Sequence, residues 1–343
     1  MKALFLDAPG KLRLGEFTEA ASSDKLRLRV QAVTVCGSDL HYYKEGAIGS
    51  SIALEPHILG HEFSGIMDDD RGEALGFPRG TLVAVDPNEA CIQLDGPCEW
   101  CERGETNLCP NVKFAGSAPI HGALREVYHA KPEALFKLPA GFDATDGALL
   151  EPLGVAIHAV DHAKIRLGSS VAIVGVGAIG LLILQLVRIV GAGEIHVLEP
   201  LEDRRELALK LGADSVHESA ESLVKYTRGR GVDTVLEATD TPEGPGAACT
   251  VARIGGKVIL VGIPDGDQFT LTASVVRRKG LTIKLSRRMG HVYPRAIGLV
   301  TQNRIDIKAI ATHHFRFSHA PQAFELQANR RDGVIKSVIH LED

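Results

Sequence analysis

The run from Val171 to Val190 constrains this chain more than any other stretch. Val171-Ala-Ile-Val174 is a short apolar run, Gly175-Val-Gly177-Ala-Ile-Gly180 is a glycine-rich turn, and Leu181 to Val190 reads as an apolar helix. A strand that turns on glycines into a helix is what a dinucleotide-binding βαβ unit needs. The first glycine permits a tight turn, the second lets a pyrophosphate approach the backbone, and the third lets helix and strand pack closely. The helix N-terminus then presents unpaired N–H groups to the phosphates. A second strand, Glu194 to Leu198, ends at Glu199, about 20 residues past the turn. An acid there accepts hydrogen bonds from the ribose hydroxyls of NAD and repels the extra phosphate of NADP. Arg204 follows, placed either to stack near the adenine or to cap the next helix. The same reading explains why Val171 to Val187 carries no charge: it falls short of the ~18 residues that raise a membrane span, and glycines interrupt it.

The texture around this unit divides the chain. Length alone, 343 residues, suggests two domains or three. The first 150 residues read as strands and turns, with Leu26 to Val35 and Thr81 to Val85 as strands between Gly, Pro, Asp and Asn punctuation. From about Leu153, apolar β-branched runs (Val171 to Val174, Ile195 to Leu198, Val232 to Leu236, Lys257 to Val261) alternate with helical stretches such as Gly180 to Val190 and Asp203 to Leu211. Buried strands alternating with helices predict a parallel sheet. After about Gly290 the alternation fades, and Val334 to His340 reads as a closing strand. The expectation is an α/β chain in which a β-rich domain precedes a doubly wound one, with a tail that packs back on the first.

Charge excludes several partners. Lys plus Arg number 38 against 43 Asp plus Glu, a net −5, with no block of five or more like charges. No nucleic-acid arm and no polybasic membrane patch is present. The amino terminus reaches Asp7 after a short apolar run, too short for a secretory signal. The expected setting is cytoplasmic.

Of six cysteines, four crowd into residues 91–109. In a chain of this length that density reads as metal binding in a reducing compartment. Cys98, Cys101 and Cys109 offer three thiolates on one loop, and a structural zinc site needs four ligands. Cys91 is the favoured fourth because thiolate is the softer donor, with Asp95 open in its place. Cys249 has no metal-spaced partner and reads as core. Trp100, inside the lobe, either anchors a subunit contact or covers the metal.

A second constellation is spread wider. Cys36-Gly-Ser38-Asp39-Leu-His41 follows a strand, Gly60-His61-Glu62 follows a turn, and Glu151-Pro152 lies near the domain junction. A catalytic zinc takes three protein ligands and leaves one position open. Cys36, His61 and Glu62 supply such a set, with Glu151 holding the water at the open position or exchanging with it.

Taken together, Cys36-Gly-Ser-Asp-Leu-His41-Tyr-Tyr43, Gly60-His61-Glu62, the lobe ending in Asn107-Leu108-Cys109, Glu151-Pro152 and the glycine turn resemble the zinc-dependent medium-chain alcohol dehydrogenases. The likeness runs in order along essentially the whole chain and is greatest to the sorbitol and xylitol dehydrogenase branch. It implies a GroES-like catalytic domain at 1–153 and 290–343 and a Rossmann domain at 154–289. It implies a catalytic zinc on Cys36, His61 and Glu62 with Glu151 close by, a structural zinc on the cysteine lobe, and NAD in the interdomain cleft. It places Ile179 beside the pyrophosphate with Gly175, Gly177 and Gly180, Glu199 and Arg204 at the adenosine, and Val261, Gly262 and Ile263 at the nicotinamide. Arg288 matches an arginine that faces cofactor and substrate in the polyol branch. Met289 stands where that branch has a tyrosine, a departure that bears on the substrate. The lobe also departs, being longer than usual between its first two ligands.

The chemistry this implies is hydride transfer from a small-molecule alcohol to NAD. Zinc acts on the substrate oxygen, and Ser38 and His41 relay the released proton. Asp39 reads as a brace for the loop, Tyr42 as a pocket wall or a core residue, and His57 and His121 as structural. A homo-oligomer, dimer or tetramer, is expected. The alternatives are a threonine or 2,3-butanediol type of dehydrogenase and a non-catalytic NAD-binding zinc protein. Zinc-free quinone reductases share the fold without these ligands.

Overall fold

The computed structural model describes every residue except 21, 54–55, 92–95 and 342–343. The chain divides into two compact units, Met1–Pro152 with Gly290–Asp343, and Leu153–Met289.

In the first unit, among the described residues, a seven-stranded sheet runs Leu135–Lys137, Leu82–Val85, Glu62–Met67, Leu26–Thr34, Lys336–His340, Ala311–Arg316, and Val127–Ala130 also pairs with Leu26–Thr34. The strand Leu26–Thr34 shows why its sequence alternates only in part. Its first half has one wet face, whereas from Val30 to Thr34 every residue is buried. It packs beside Leu4, Phe63 and Phe324 in the core of this unit. The carboxy-terminal segment is integral to the sheet. Lys336–His340 lies beside Leu26–Thr34 and Ala311–Arg316 beside Lys336–His340, and Tyr293 stacks on Phe136 with ring centroids 4.5 Å apart while donating a hydrogen bond to the Val85 carbonyl at 2.8 Å.

The second unit carries, among the described residues, a six-stranded sheet in the order Ser215–His217, Glu194–Leu198, Ser170–Val174, Val232–Glu237, Ala252–Leu260, Thr282–Leu285. Every pairing in it is parallel. The order reverses between Ser170–Val174 and Val232–Glu237, which makes the carboxyl ends of those strands the switch point where such sheets bind ligands. Helix Ala178–Ile189 starts inside the glycine turn, with Gly177 at its N-cap.

Two elements depart from the sequence reading. The strand expected from Lys257 begins at Ala252, with Gly255 at φ +68° in its outer part. A single helix, Ala144–Ala163, runs through the expected junction with Pro152 inside it. Proline removes an N–H and disfavours helix at the residue before it, so local signals predict a break. Burial of Leu149, Leu150, Leu153, Ala156 and Ile157 along the helix outweighs that cost. No helix among the described residues is long and apolar enough to cross a membrane.

Candidate active site

The cysteine lobe is a closed cage. Donor atoms of Cys91, Cys98, Cys101 and Cys109 all lie within 4.8 Å of one another. Cys91 and Cys101 sulfurs are 3.7 Å apart, and those of Cys98 and Cys109 are 3.9 Å apart. A tetrahedral zinc with Zn–S bonds of about 2.3 Å has sulfur–sulfur edges of about 3.8 Å, so the cage has the size zinc requires. All four are free thiols, and their separations are far beyond a disulfide's ~2.05 Å. The Cys98 N–H points at the Cys91 sulfur at 3.2 Å and the Cys91 N–H at the Cys109 sulfur at 3.4 Å, which orients the donors. Asp95 lies outside the described residues; Cys91 stands within the cage.

The second donor group has mixed chemistry. Cys36 is the N-cap of helix Gly37–Glu45, His61 lies between a turn and a strand, and Glu62 begins strand Glu62–Met67. Their ligand atoms also lie within 4.8 Å of one another. Asp39 ties the Cys36 backbone to the turn before His61 and to the His61 ring. Its carboxylate accepts the Cys36 N–H at 3.0 Å and the Gly60 N–H at 3.1 Å, and lies 3.6 Å from His61 Nδ1. An acid behind a ring nitrogen fixes the orientation and tautomer of a metal-binding histidine. Ser38 Oγ is 3.5 Å from His61 Nε2. Burial works against charge on His61, but the adjacent Asp39 and Cys36 outweigh it and raise the imidazole well above its usual range.

Glu151 is 4% exposed on the helix Ala144–Ala163. Burial drives its carboxyl up to about 8, with His61 and Lys336 pulling it down and Glu62 and Asp86 pushing it up. It therefore shares one electrostatic environment with the donor group. His41 is buried on the Cys36 helix, one turn past Ser38. Tyr42 sits in the core of the unit, 2% exposed. Its hydroxyl meets Ser51 Oγ at 2.7 Å and accepts the Ala118 N–H at 3.3 Å.

In the second unit the glycine turn is packed as the sequence requires. Gly175 has φ +82°, and a Cβ there would stand 2.5 Å from the Thr239 side chain; one on Gly180 would stand 2.0 Å from the Gly175 carbonyl. A Cβ on Gly177 would meet only Arg204, 3.8 Å from a guanidinium nitrogen, so this glycine faces open space beside that cation. Ile179 is half-buried in the first helical turn. Glu199, 4% exposed, accepts the Val176 N–H at 2.9 Å and the Leu201 N–H at 3.1 Å, which fixes its carboxylate against the turn. Arg205 holds the strand end by donating to the Glu199 and Pro200 carbonyls at 2.9 and 2.7 Å. Val261 and Gly262 both donate to the Glu237 carbonyl, and Ile263 is exposed. Arg288 is half-buried with φ +53°, a conformation rare outside glycine, and Met289 beside it is 4% exposed.

Sequence reasoning missed two residues at the mixed donor group, Lys336 and Thr34. Lys336 Nζ lies 2.9 and 2.6 Å from the two Glu62 oxygens, and the Thr34 hydroxyl donates to Glu62 Oε2. Thr34 alone had a sequence signal, standing two residues before Cys36 at the end of its strand.

A Rossmann-type sheet joined to a β-rich unit with a closed thiol cage and an S, N, O donor set defines a zinc-binding dehydrogenase. Comparison with known proteins agrees. Residues 22–140 match the alcohol dehydrogenase GroES-like domain model and residues 178–302 the zinc-binding dehydrogenase model. The chain is 32% identical over 324 residues to a sorbitol dehydrogenase of Bacillus subtilis, covering 92% of this chain and 90% of that protein. It is 31% identical over 350 residues to a D-xylulose reductase of Saccharomyces cerevisiae, covering 98% and 97%. A solved Escherichia coli oxidoreductase/dehydrogenase of unknown specificity superposes with a TM-score of 0.90 at 29% identity, over 100% of this chain and 99% of that one. The chain belongs to the zinc-dependent medium-chain alcohol dehydrogenases, near their polyol branch.

Proposed function

We propose that this chain oxidises a polyol or another secondary alcohol by hydride transfer to NAD, with Cys36, His61 and Glu62 as ligands of the catalytic zinc. The observation that carries the reading is the convergence of those three donors, from a helix cap and a strand start, with Asp39 bracing them. Bound there, zinc would supply Lewis acidity toward a substrate oxygen, and bound NAD would accept the hydride. Cys91, Cys98, Cys101 and Cys109 would hold a second, structural zinc.

The chain's own residues then have separate tasks. Asp39 orients His61. Ser38 Oγ takes the alcohol proton, and His41, one turn along the helix, carries it onward. Glu151 orients the group at the open position or exchanges with it. Gly175, Gly177, Ile179 and Gly180 admit the pyrophosphate, with Arg204 beside them, and Glu199 binds the ribose hydroxyls. The buried carboxylate of Glu199 would meet a 2′-phosphate with like charge, which favours NAD over NADP. Val261, Gly262 and Ile263 present backbone to the nicotinamide, and Arg288 lies where cofactor and substrate meet.

Met289 favours a second reading. A buried thioether in place of a hydroxyl suits a less hydroxylated alcohol, as in threonine or 2,3-butanediol dehydrogenases. The free thiols support a reducing, cytoplasmic setting. Homo-oligomerisation is supported by the edge strand Thr282–Leu285, where Leu285 is 64% exposed, and by helix Ala273–Lys279, which has no buried residue. The test is NADH formation from xylitol, sorbitol, threonine and 2,3-butanediol, with and without a zinc chelator. Chelator-sensitive turnover of a polyol supports the first reading, and turnover of threonine or butanediol alone supports the second. Inactivity with all four, in protein that binds both zinc and NAD, leaves either another alcohol as the substrate or a non-catalytic role.

A further inference from the structure

Glu62 is held more tightly than a metal ligand requires. Both of its oxygens are engaged by Lys336, and the lysine's remaining reach goes to the Val35 carbonyl at 3.2 Å. The ion pair is sealed from water, with side chains 3% and 1% exposed. Strand order brings the partners together. Leu26–Thr34 lies between Glu62–Met67 and Lys336–His340, and Thr34 is paired with Glu62 on one side and Val338 on the other. The lysine cannot leave without abandoning a buried carboxylate and a buried carbonyl.

We infer that Lys336 is a positioning residue that keeps Glu62 a weak ligand, trading metal affinity for electrophilicity. The inference rests on the zinc reading of Cys36, His61 and Glu62. With neutral His61, the Cys36 thiolate and Glu62 carboxylate carry −2, and Lys336 offsets one of those charges. Asp39 and Glu151 lie near with or without the lysine, so its presence makes the metal's surroundings one unit more positive. The lysine repels the ion and competes for the same oxygens, which weakens binding. That added positive charge favours the ionised form of an alcohol at the open position over its neutral form.

A merely structural lysine has the opposite signature. If Lys336 only closes the sheet and steadies Glu62, removing it loosens the ligand and weakens the metal. If it holds Glu62 back, removing its charge strengthens the metal even as the fold loses stability.

The experiment uses the full-length protein and its Lys336→Met and Lys336→Arg variants, with zinc affinity measured by competition against a chromophoric chelator. Cys36→Ser assigns which bound zinc is being read. Lys336→Met is expected to bind that zinc about 10- to 100-fold tighter, and to release it more slowly, while its metal-free form melts at a lower temperature. Its kcat falls, and Lys336→Arg stays close to wild type in both affinity and kcat. Should the methionine variant fail to fold, Lys336→Gln, which keeps a polar end without the charge, must show the same tightening. Unchanged or weaker zinc binding in the neutral variants overturns the inference, as does an arginine variant that behaves like methionine. A wild-type chain that takes up zinc only at the cysteine lobe overturns the underlying site reading instead.

Discussion

The two donor groups of the first unit use the same elements of chemistry in opposite ways. The lobe closes four sulfurs into one cage from a single short segment, with backbone N–H groups turned onto them. The mixed group draws on a helix cap, a turn, a strand and, through Lys336, the far end of the chain. Four thiolates leave a bound zinc no open position and carry −2 together with it, a charge the N–H groups turned onto the sulfurs help to offset. Three unlike donors with a lysine on one of them leave a position open. The difference underlies the proposed division between a structural and a catalytic zinc site.

The largest effect that could break this comparison is on turnover. Cys36→Ser should lower kcat/KM by about 10³-fold or more while one zinc per chain and most of the melting temperature remain, read by steady-state kinetics with metal analysis. Cys109→Ser should do the reverse. Its melting temperature should fall by about 5–10 °C in a calorimetric scan, and the activity per correctly folded molecule should change little. If Cys109→Ser abolished activity in folded protein, the two groups would not be separable.

Smaller effects sharpen the picture. Ser38→Ala should reduce kcat by about 10²-fold with little change in zinc content, as expected for a hydroxyl that relays a proton rather than a ligand. Glu199→Ala should raise KM for NAD about tenfold and narrow the preference over NADP, measured as the ratio of kcat/KM for the two cofactors. An equal loss with both cofactors would show that Glu199 acts only through its bonds to the Val176 and Leu201 N–H groups.

How much of this was legible in the sequence follows the range of the interactions involved. The glycine turn is legible because its main constraints are local: Gly175 holds φ +82°, and Gly180 is excluded from bearing a Cβ by the Gly175 carbonyl in the same βα unit. The four lobe cysteines are legible because they lie on one segment. Cys36 and the His61-Glu62 pair are legible as residue types with ligand chemistry. Lys336 is not, because its role exists only once strand Lys336–His340 pairs beside Leu26–Thr34. Nothing around Lys336 in sequence distinguishes it from a solvated lysine. The helix Ala144–Ala163 was hidden for a related reason, since Pro152 is a local signal overruled by tertiary burial. Tyr42 was ambiguous because an aromatic next to a site residue has the same sequence appearance in a pocket or in a core. Its burial and its bonds to Ser51 and Ala118 come from segments outside its own helix.

The division of labour between the two groups is tested most directly by removing zinc in stages. Purified protein is treated with a chelator while released zinc, turnover and melting temperature are followed together. Two zinc ions per chain should leave in two phases, with activity disappearing in the fast phase and the melting temperature falling only in the slow one. A single phase in which activity and thermal stability vanish together, or full turnover after the fast zinc has gone, would contradict the account.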